Sequence, residues 1–82
     1  MKLFIKNIEK DINEMQLEKL FGQFGEVLST KIVYDTITWE SKGFGFLEMA
    51  KKEDGQKAID ALNGKIVKGL ELIVQEAEER RR

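Results

Sequence analysis

The 82 residues predict an α+β domain in which a four-stranded antiparallel sheet carries two helices on one face. Three observations predict it. Segments that alternate apolar and polar side chains, as strands do, begin at Lys2, Val27, Lys42 and Leu70. Two segments with apolar residues at helical spacing lie between the first and second of these and between the third and fourth. The order is therefore strand, helix, strand, strand, helix, strand, the split βαβ or ferredoxin-like plan, and no further segment is available to cover the second face of the sheet.

In the first strand, Lys2-Leu3-Phe4-Ile5-Lys6-Asn7-Ile8, the apolar Leu3, Ile5 and Ile8 suit a core, and alternation places Lys2, Phe4 and Lys6 on the face opposite Leu3 and Ile5. Asn13 and Gln16 have the spacing of a capping box and open the first helix. Leu17, Leu20, Phe21 and Phe24 form its apolar stripe, and Gly25 is expected to end it in a positive-φ conformation. Val27 to Tyr34 is rich in β-branched residues and reads as the second strand. The polar stretch Asp35 to Ser41 reads as a hairpin loop. In the third strand, Lys42 to Met49, Phe44, Phe46 and Glu48 share one face while Gly45, Leu47 and Met49 share the other.

The second helix is expected over Lys52 to Leu62, with Ala58, Ile59 and Leu62 inward. Lys51 is a poor N-cap, and Gly55 in the interior costs about 1 kcal/mol relative to alanine. Asn63-Gly64 closes this helix. The last strand is expected over Leu70 to Glu76, with Leu72 and Val74 inward and Glu71, Ile73 and Gln75 outward. Residues 1–77 are expected to form a single domain and residues 78–82 a charged tail.

Composition narrows the chemistry. Cysteine and histidine are absent, which removes thiolate metal sites, iron–sulfur clusters, and the commonest metal ligand and general base. The three arginines are all terminal, Arg80, Arg81 and Arg82, so lysine is the cation of the domain body. A phosphatase-like hydrolase on this plan needs an anion-holding arginine or nest, and the body offers no arginine and no paired carboxylates. The expectation is therefore not an enzyme, with no cofactor. No apolar run approaches a membrane span, and the first residues do not resemble a signal peptide, so no membrane partner and a cytoplasmic location are expected. Net charge is −1, which argues against gripping duplex DNA through bulk positive charge but leaves a local basic face open.

The uncovered sheet face then becomes the centre of interest. Two helical crossovers place the first and third strands side by side, so Phe4, Phe44 and Phe46 cluster on that face. Inverting the faces would bury Lys6 and Glu48 and expose Leu3, Ile5 and Leu47, a far costlier arrangement. Exposed flat rings flanked by lysines suit unpaired nucleobases, each stack being worth ~1–3 kcal/mol while ammonium groups attract phosphates. Gly43 and Gly45 keep the surface low beside the rings and allow close approach of backbone or ligand.

Lys42-Gly43-Phe44-Gly45-Phe46-Leu47-Glu48-Met49 resembles the ribonucleoprotein octamer of the RNA recognition motif family, which reads basic, Gly, aromatic, Gly/Ala, Phe, Val, any, aromatic. Leu3-Phe4-Ile5-Lys6-Asn7-Ile8 resembles its hexamer partner on the first strand. Leu20-Phe21-Gly22-Gln23-Phe24-Gly25 and Ala61-Leu62-Asn63-Gly64 are also similar to family phrases. The likeness spans essentially the whole chain, and short bacterial single-domain members have a similar layout. It implies single-stranded RNA as the partner, with single-stranded DNA as an alternative ligand, held by a monomer. Phe4 and Phe46 would stack on successive bases, Phe44 would contact sugars or insert between nucleotides, and Lys42 would pair with a phosphate. Lys6, Lys31, Ile73 and Gln75 border the surface.

The chain departs from the family pattern in three places. Met49 stands where the octamer usually has an aromatic, on the core side. Trp39 and Glu40 stand where relatives usually carry glycine and a basic residue, which alters the turn and weakens phosphate attraction. Trp39 either stacks on an additional base or lies on the loop against the domain edge. Leu70 stands where relatives usually carry a basic residue, Glu71, Glu76, Glu78 and Glu79 make the last strand and tail acidic, and the terminal arginines either contact phosphates or form a solvated run. The alternative function is a protein-interaction module on the same fold. Low net charge favours it, and retention of all three aromatics counts against it.

Overall fold

The computed structural model describes residues 1–77, so the expected tail at 78–82 lies outside the described residues. The chain runs β1 (Lys2–Lys6), α1 (Glu14–Gly22), β2 (Val27–Tyr34), β3 (Ser41–Met49), α2 (Lys52–Leu62), and then three short strands, β4 (Ile66–Val67), β5 (Leu70–Glu71) and β6 (Ile73–Glu76). The main sheet has the order β2-β3-β1-β6 with every neighbour antiparallel. This is the ferredoxin-like plan read from the sequence, with β1 and β3 at its centre.

One face of the sheet is buried under both helices. Leu3, Ile5, Leu47, Met49, Leu72 and Val74 from the strands join Leu17 and Phe21 of α1 and Ala58 and Leu62 of α2 in one apolar cluster. Ile8 and Ile12, in the β1–α1 connection, close one end of it. No polar or charged residue is buried among the described residues. Asn13 caps α1 as expected. Its Oδ1 accepts from the Gln16 N–H at 2.9 Å, and Gln16 Oε1 accepts from the Asn13 N–H at 2.9 Å. Glu14 then ties α1 to the sheet edge by accepting from the Tyr34 hydroxyl at 2.9 Å and the Ile32 N–H at 3.4 Å. Partial burial, with Glu14's hydrogen bond and negative charge, pushes the Tyr34 phenol above its ordinary pKa.

Four expectations are corrected. Helix α1 ends at Gly22 with Gln23 in right-handed conformation, and Gly25 is not among the positive-φ glycines, which are Gly43, Gly64 and Gly69. Gly25 is required instead by contact, because a Cβ there would collide with the side chain of Asp54 in α2. The stripe of α1 is also less uniform than its spacing implied: Leu17 and Phe21 are buried, whereas Leu20 and Phe24 are half-buried at the core margin. The strand expected over Leu70 to Glu76 is broken at Leu72. Its first two residues turn back through Lys68 (φ 52°) and Gly69 (φ 89°) to pair with β4, and Leu72 exchanges backbone hydrogen bonds with Gly64 and Lys65. Lastly, Gly45 lies on the buried side of β3, where a Cβ would strike the Lys31 carbonyl. It admits the backbone of β2 rather than lowering the surface beside the rings. Gly55, read only as a helix weakness, has a reason too: the Met1 side chain occupies the place of its Cβ.

Candidate nucleic-acid interface

Strand pairing fixes the open face as a grid, because Cα partners on neighbouring strands present their side chains to the same side. Ser29, Glu48 and Lys2 form one row. Lys31, Phe46, Phe4 and Gln75 form the next. Phe44, Lys6 and Ile73 form the third. Alternation along β3 continues the same face to Lys42, which is exposed.

The three phenylalanines are half-buried because they pack on one another. Phe4 and Phe46 are stacked, with centroids 5.1 Å apart and planes at 25°, and Phe44 meets Phe4 edge-on at 6.0 Å and 71°. Lys2 Nζ lies 5.5 Å from the Phe46 centroid and Lys6 Nζ 5.9 Å from that of Phe4. Cations at this range are attracted by the ring quadrupole. The result is an apolar platform of mutually packed rings with lysines at its margins.

Two concavities open on this face. One of about 330 Å³ is lined by Phe4, Phe44, Lys6, Lys42 and Asn7 among others. The second, of about 360 Å³, lies at the opposite end beside Phe46, Lys2, Lys31 and Glu48. A third, of about 470 Å³, sits on the helical flank against Met15, Glu18 and Val27 and shares no residue with the platform.

The structure thus gathers Phe4, Lys6, Lys31, Lys42, Phe44, Phe46, Ile73 and Gln75 on one surface. Trp39 stands apart. It sits in the β2–β3 hairpin, 76 % exposed, with Ile37 nearby in sequence at 85 %. Among the described residues the ring–ring contacts are those of Phe4 with Phe44 and Phe46. The loop is held by Asp35, whose Oδ1 accepts from the N–H of Ile37 at 2.8 Å and of Thr38 at 3.0 Å, while its carbonyl accepts from the Trp39 N–H at 2.9 Å. The Thr38 and Ile37 amides, helped by the charge of Lys42, hold the Asp35 carboxyl below its ordinary range. Trp39 adopts φ 64°, the left-handed conformation natural to glycine.

Two residues of the surface, Asn7 and Ser29, escaped the sequence reading, as did the corner that Ser29 makes with Glu48. Asn7, at φ 59°, ends β1 and donates its Nδ2 to the Glu71 carbonyl at 2.7 Å, anchoring the β4–β5 hairpin beside the platform. Its position just past the alternating run was a usable signal. Ser29 and Glu48 were legible as polar strand residues, but their meeting at one corner depends on the register of β2, which shifts between Val27 and Ser29.

A family model described as RNA recognition motif matches residues 3–73. The chain belongs to that family. It is 38 % identical over 79 residues to the chloroplastic 29 kDa ribonucleoprotein of Arabidopsis thaliana, an alignment covering 96 % of this chain and 23 % of that protein. The chain spans about a quarter or less of the length of the curated relatives it matches. Among solved structures it resembles one described as RNA-binding protein PG1, with a TM-score of 0.93 and 36 % identity over 100 % of this chain and 99 % of the other. It also resembles the protein in an Sxl-lethal protein/RNA complex, with a TM-score of 0.88 and 33 % identity over 93 % of this chain and 47 % of the other.

Proposed function

We propose that the chain binds single-stranded RNA on the open sheet face and acts as a binding module rather than an enzyme. The observation that carries this reading is the packed triad Phe4, Phe44 and Phe46, bordered by lysines, at the centre of a sheet face that no described element covers. Phe4 and Phe46 stack on successive bases, Phe44 contacts sugar, and Lys42 pairs with a phosphate. Lys6, Lys31, Ile73 and Gln75 border the bound segment, and Trp39 reaches a further base from the hairpin. Such a platform accommodates roughly two to four nucleotides, with stacking ahead of charge. Membership in the family and likeness to a protein seen in an RNA complex support the reading. Single-stranded DNA fits the same rings less one set of 2′-hydroxyl contacts. A monomeric, cytoplasmic protein is the setting proposed.

The test is a titration of labelled single-stranded RNA against the protein and against Phe46→Ala. Loss of ~1–3 kcal/mol of binding energy with the fold intact is expected. Unchanged affinity in the folded variant would refute the platform. No binding by the unaltered protein would turn the search toward a protein partner on the same aromatic face.

A further inference from the structure

Glu48 brings a carboxylate onto the open face of β3, two residues along from Phe46, and it is exposed. Its Cα partners are Lys2 on β1 and Ser29 on β2, and the β2 partner of Phe46 is Lys31. With Phe46 these side chains surround the concavity of about 360 Å³. That lies within the ~300–1,000 Å³ of ordinary ligand sites. The corner therefore offers a ring to stack on, two carboxylate acceptors, ammonium donors from two sides, and a hydroxyl. A carboxylate repels the phosphate backbone, so a nucleotide stacked on Phe46 is favoured with its base edge, not its phosphate, toward Glu48.

The four bases present different edges to such a corner. Uracil shows one N–H between two carbonyl oxygens, so a facing carboxylate gains one hydrogen bond and meets two repulsive acceptors. Adenine and cytosine each offer one amino group beside ring acceptors. Guanine alone presents two adjacent donors, N1–H and N2–H, that match the two oxygens of a carboxylate, followed by O6, an acceptor for an ammonium group. Paired donors on a carboxylate make the stronger, charge-assisted kind of hydrogen bond.

We propose that Glu48, with Lys31, makes the corner beside Phe46 a guanine-selective subsite. This rests on the stacking platform proposed above and adds its base preference. Glu48 accepts from guanine N1 and N2, Lys31 donates to O6, and Lys2 balances the carboxylate's charge.

The experiment compares three labelled RNA hexamers: all uridine, the same with one central guanosine, and the same with inosine there, which lacks the N2 amino group. The expected result is about tenfold tighter binding of the guanosine hexamer than of the uridine one, the order of discrimination one bidentate base contact provides. Inosine should fall between them. In Glu48→Gln, whose amide can accept from one donor but opposes the second, the guanosine-to-uridine ratio should fall to near one. The amide spectrum of this surface variant reports its fold. Equal affinity for all three hexamers, or a guanosine preference that Glu48→Gln leaves intact, overturns the subsite. If Phe46→Ala weakens binding in either of those cases, the platform stands without it. If no hexamer binds, or Phe46→Ala changes nothing, the platform and the subsite fall together.

Discussion

The two faces of β3 use the same residue type for opposite ends. Phe21 of α1 reaches the covered face and is fully buried at 0 % exposure, packed among Leu3, Leu17 and the other core residues. Phe46 stands on the uncovered face, half-buried, and its covering is supplied by Phe4. Both are flat apolar rings. What separates them is whether the domain itself completes the contact. On the helical side the chain supplies all the partners, so the ring contributes to stability. On the open side Phe4 stacks against Phe46 and Lys2 Nζ lies near its ring, and the described elements complete the contact only in part, so the ring's remaining contact energy is available for binding.

The largest expected effects break this comparison directly. Phe21→Ala should cost ~3–5 kcal/mol of stability, as removal of a buried aromatic does. In a domain this small that approaches the whole margin. Urea unfolding followed by circular dichroism would measure it. Phe46→Ala should do the reverse, with most of its effect on RNA affinity and a smaller change in the urea midpoint. Were both variants to lose equal stability, the two faces would be equivalent and the open face merely an extension of the core.

That asymmetry was largely readable in the sequence, and the reason is physical. Alternation in a strand is strict, so Phe44, Phe46 and Glu48 had to oppose Gly45, Leu47 and Met49 once either set was assigned to the core. The capping box of Asn13 and Gln16 was equally local and equally legible. What escaped depended on distant parts of the chain. Gly25 looked like a helix terminator because its clash with Asp54 exists only after α2 packs against it. Gly55 looked like a defect because Met1 is remote in sequence. The break at Leu72 arose because Gly64 and Lys65 compete for its backbone. The corner formed by Ser29, Lys31 and Glu48 required a register that a bulge in β2 sets.

The β2–β3 hairpin sharpens the comparison by placing an aromatic on neither face. Trp39 is exposed and holds φ 64°. The left-handed region costs a residue with a Cβ roughly 1–2 kcal/mol. Glycine avoids that cost but adds ~0.5–1 kcal/mol of chain entropy to be lost on folding. Trp39→Gly should therefore leave stability level or raise it by up to about 1.5 kcal/mol. If the ring stacks on a base as proposed, RNA affinity should fall in the same variant. Opposite signs in the two measurements would mark the strain as serving recognition. Higher stability with unchanged affinity would place Trp39 outside the interface.

The smallest effect concerns what holds that hairpin independent of the sheet. The Thr38 and Ile37 amides depress the Asp35 carboxyl. A folded pKa below the unfolded value of about 3.9 makes the cap's contribution complete above that value and lost as pH falls through the depressed one. The hairpin should therefore be unaffected between pH 7 and about 5, where the carboxylate is ionised in both states. Because Asp35 lies at the surface, only partly buried at the start of the hairpin loop, the global unfolding midpoint is a poor reporter, and the amide resonances of Ile37 and Thr38 are the right one. They should move together in acid with a midpoint below about 3.9, while the amides of Phe4 and Phe46 show no transition at that midpoint. A midpoint at or above the unperturbed value would mean that the two amides do not hold the carboxylate, and the left-handed turn at Trp39 would then need another support.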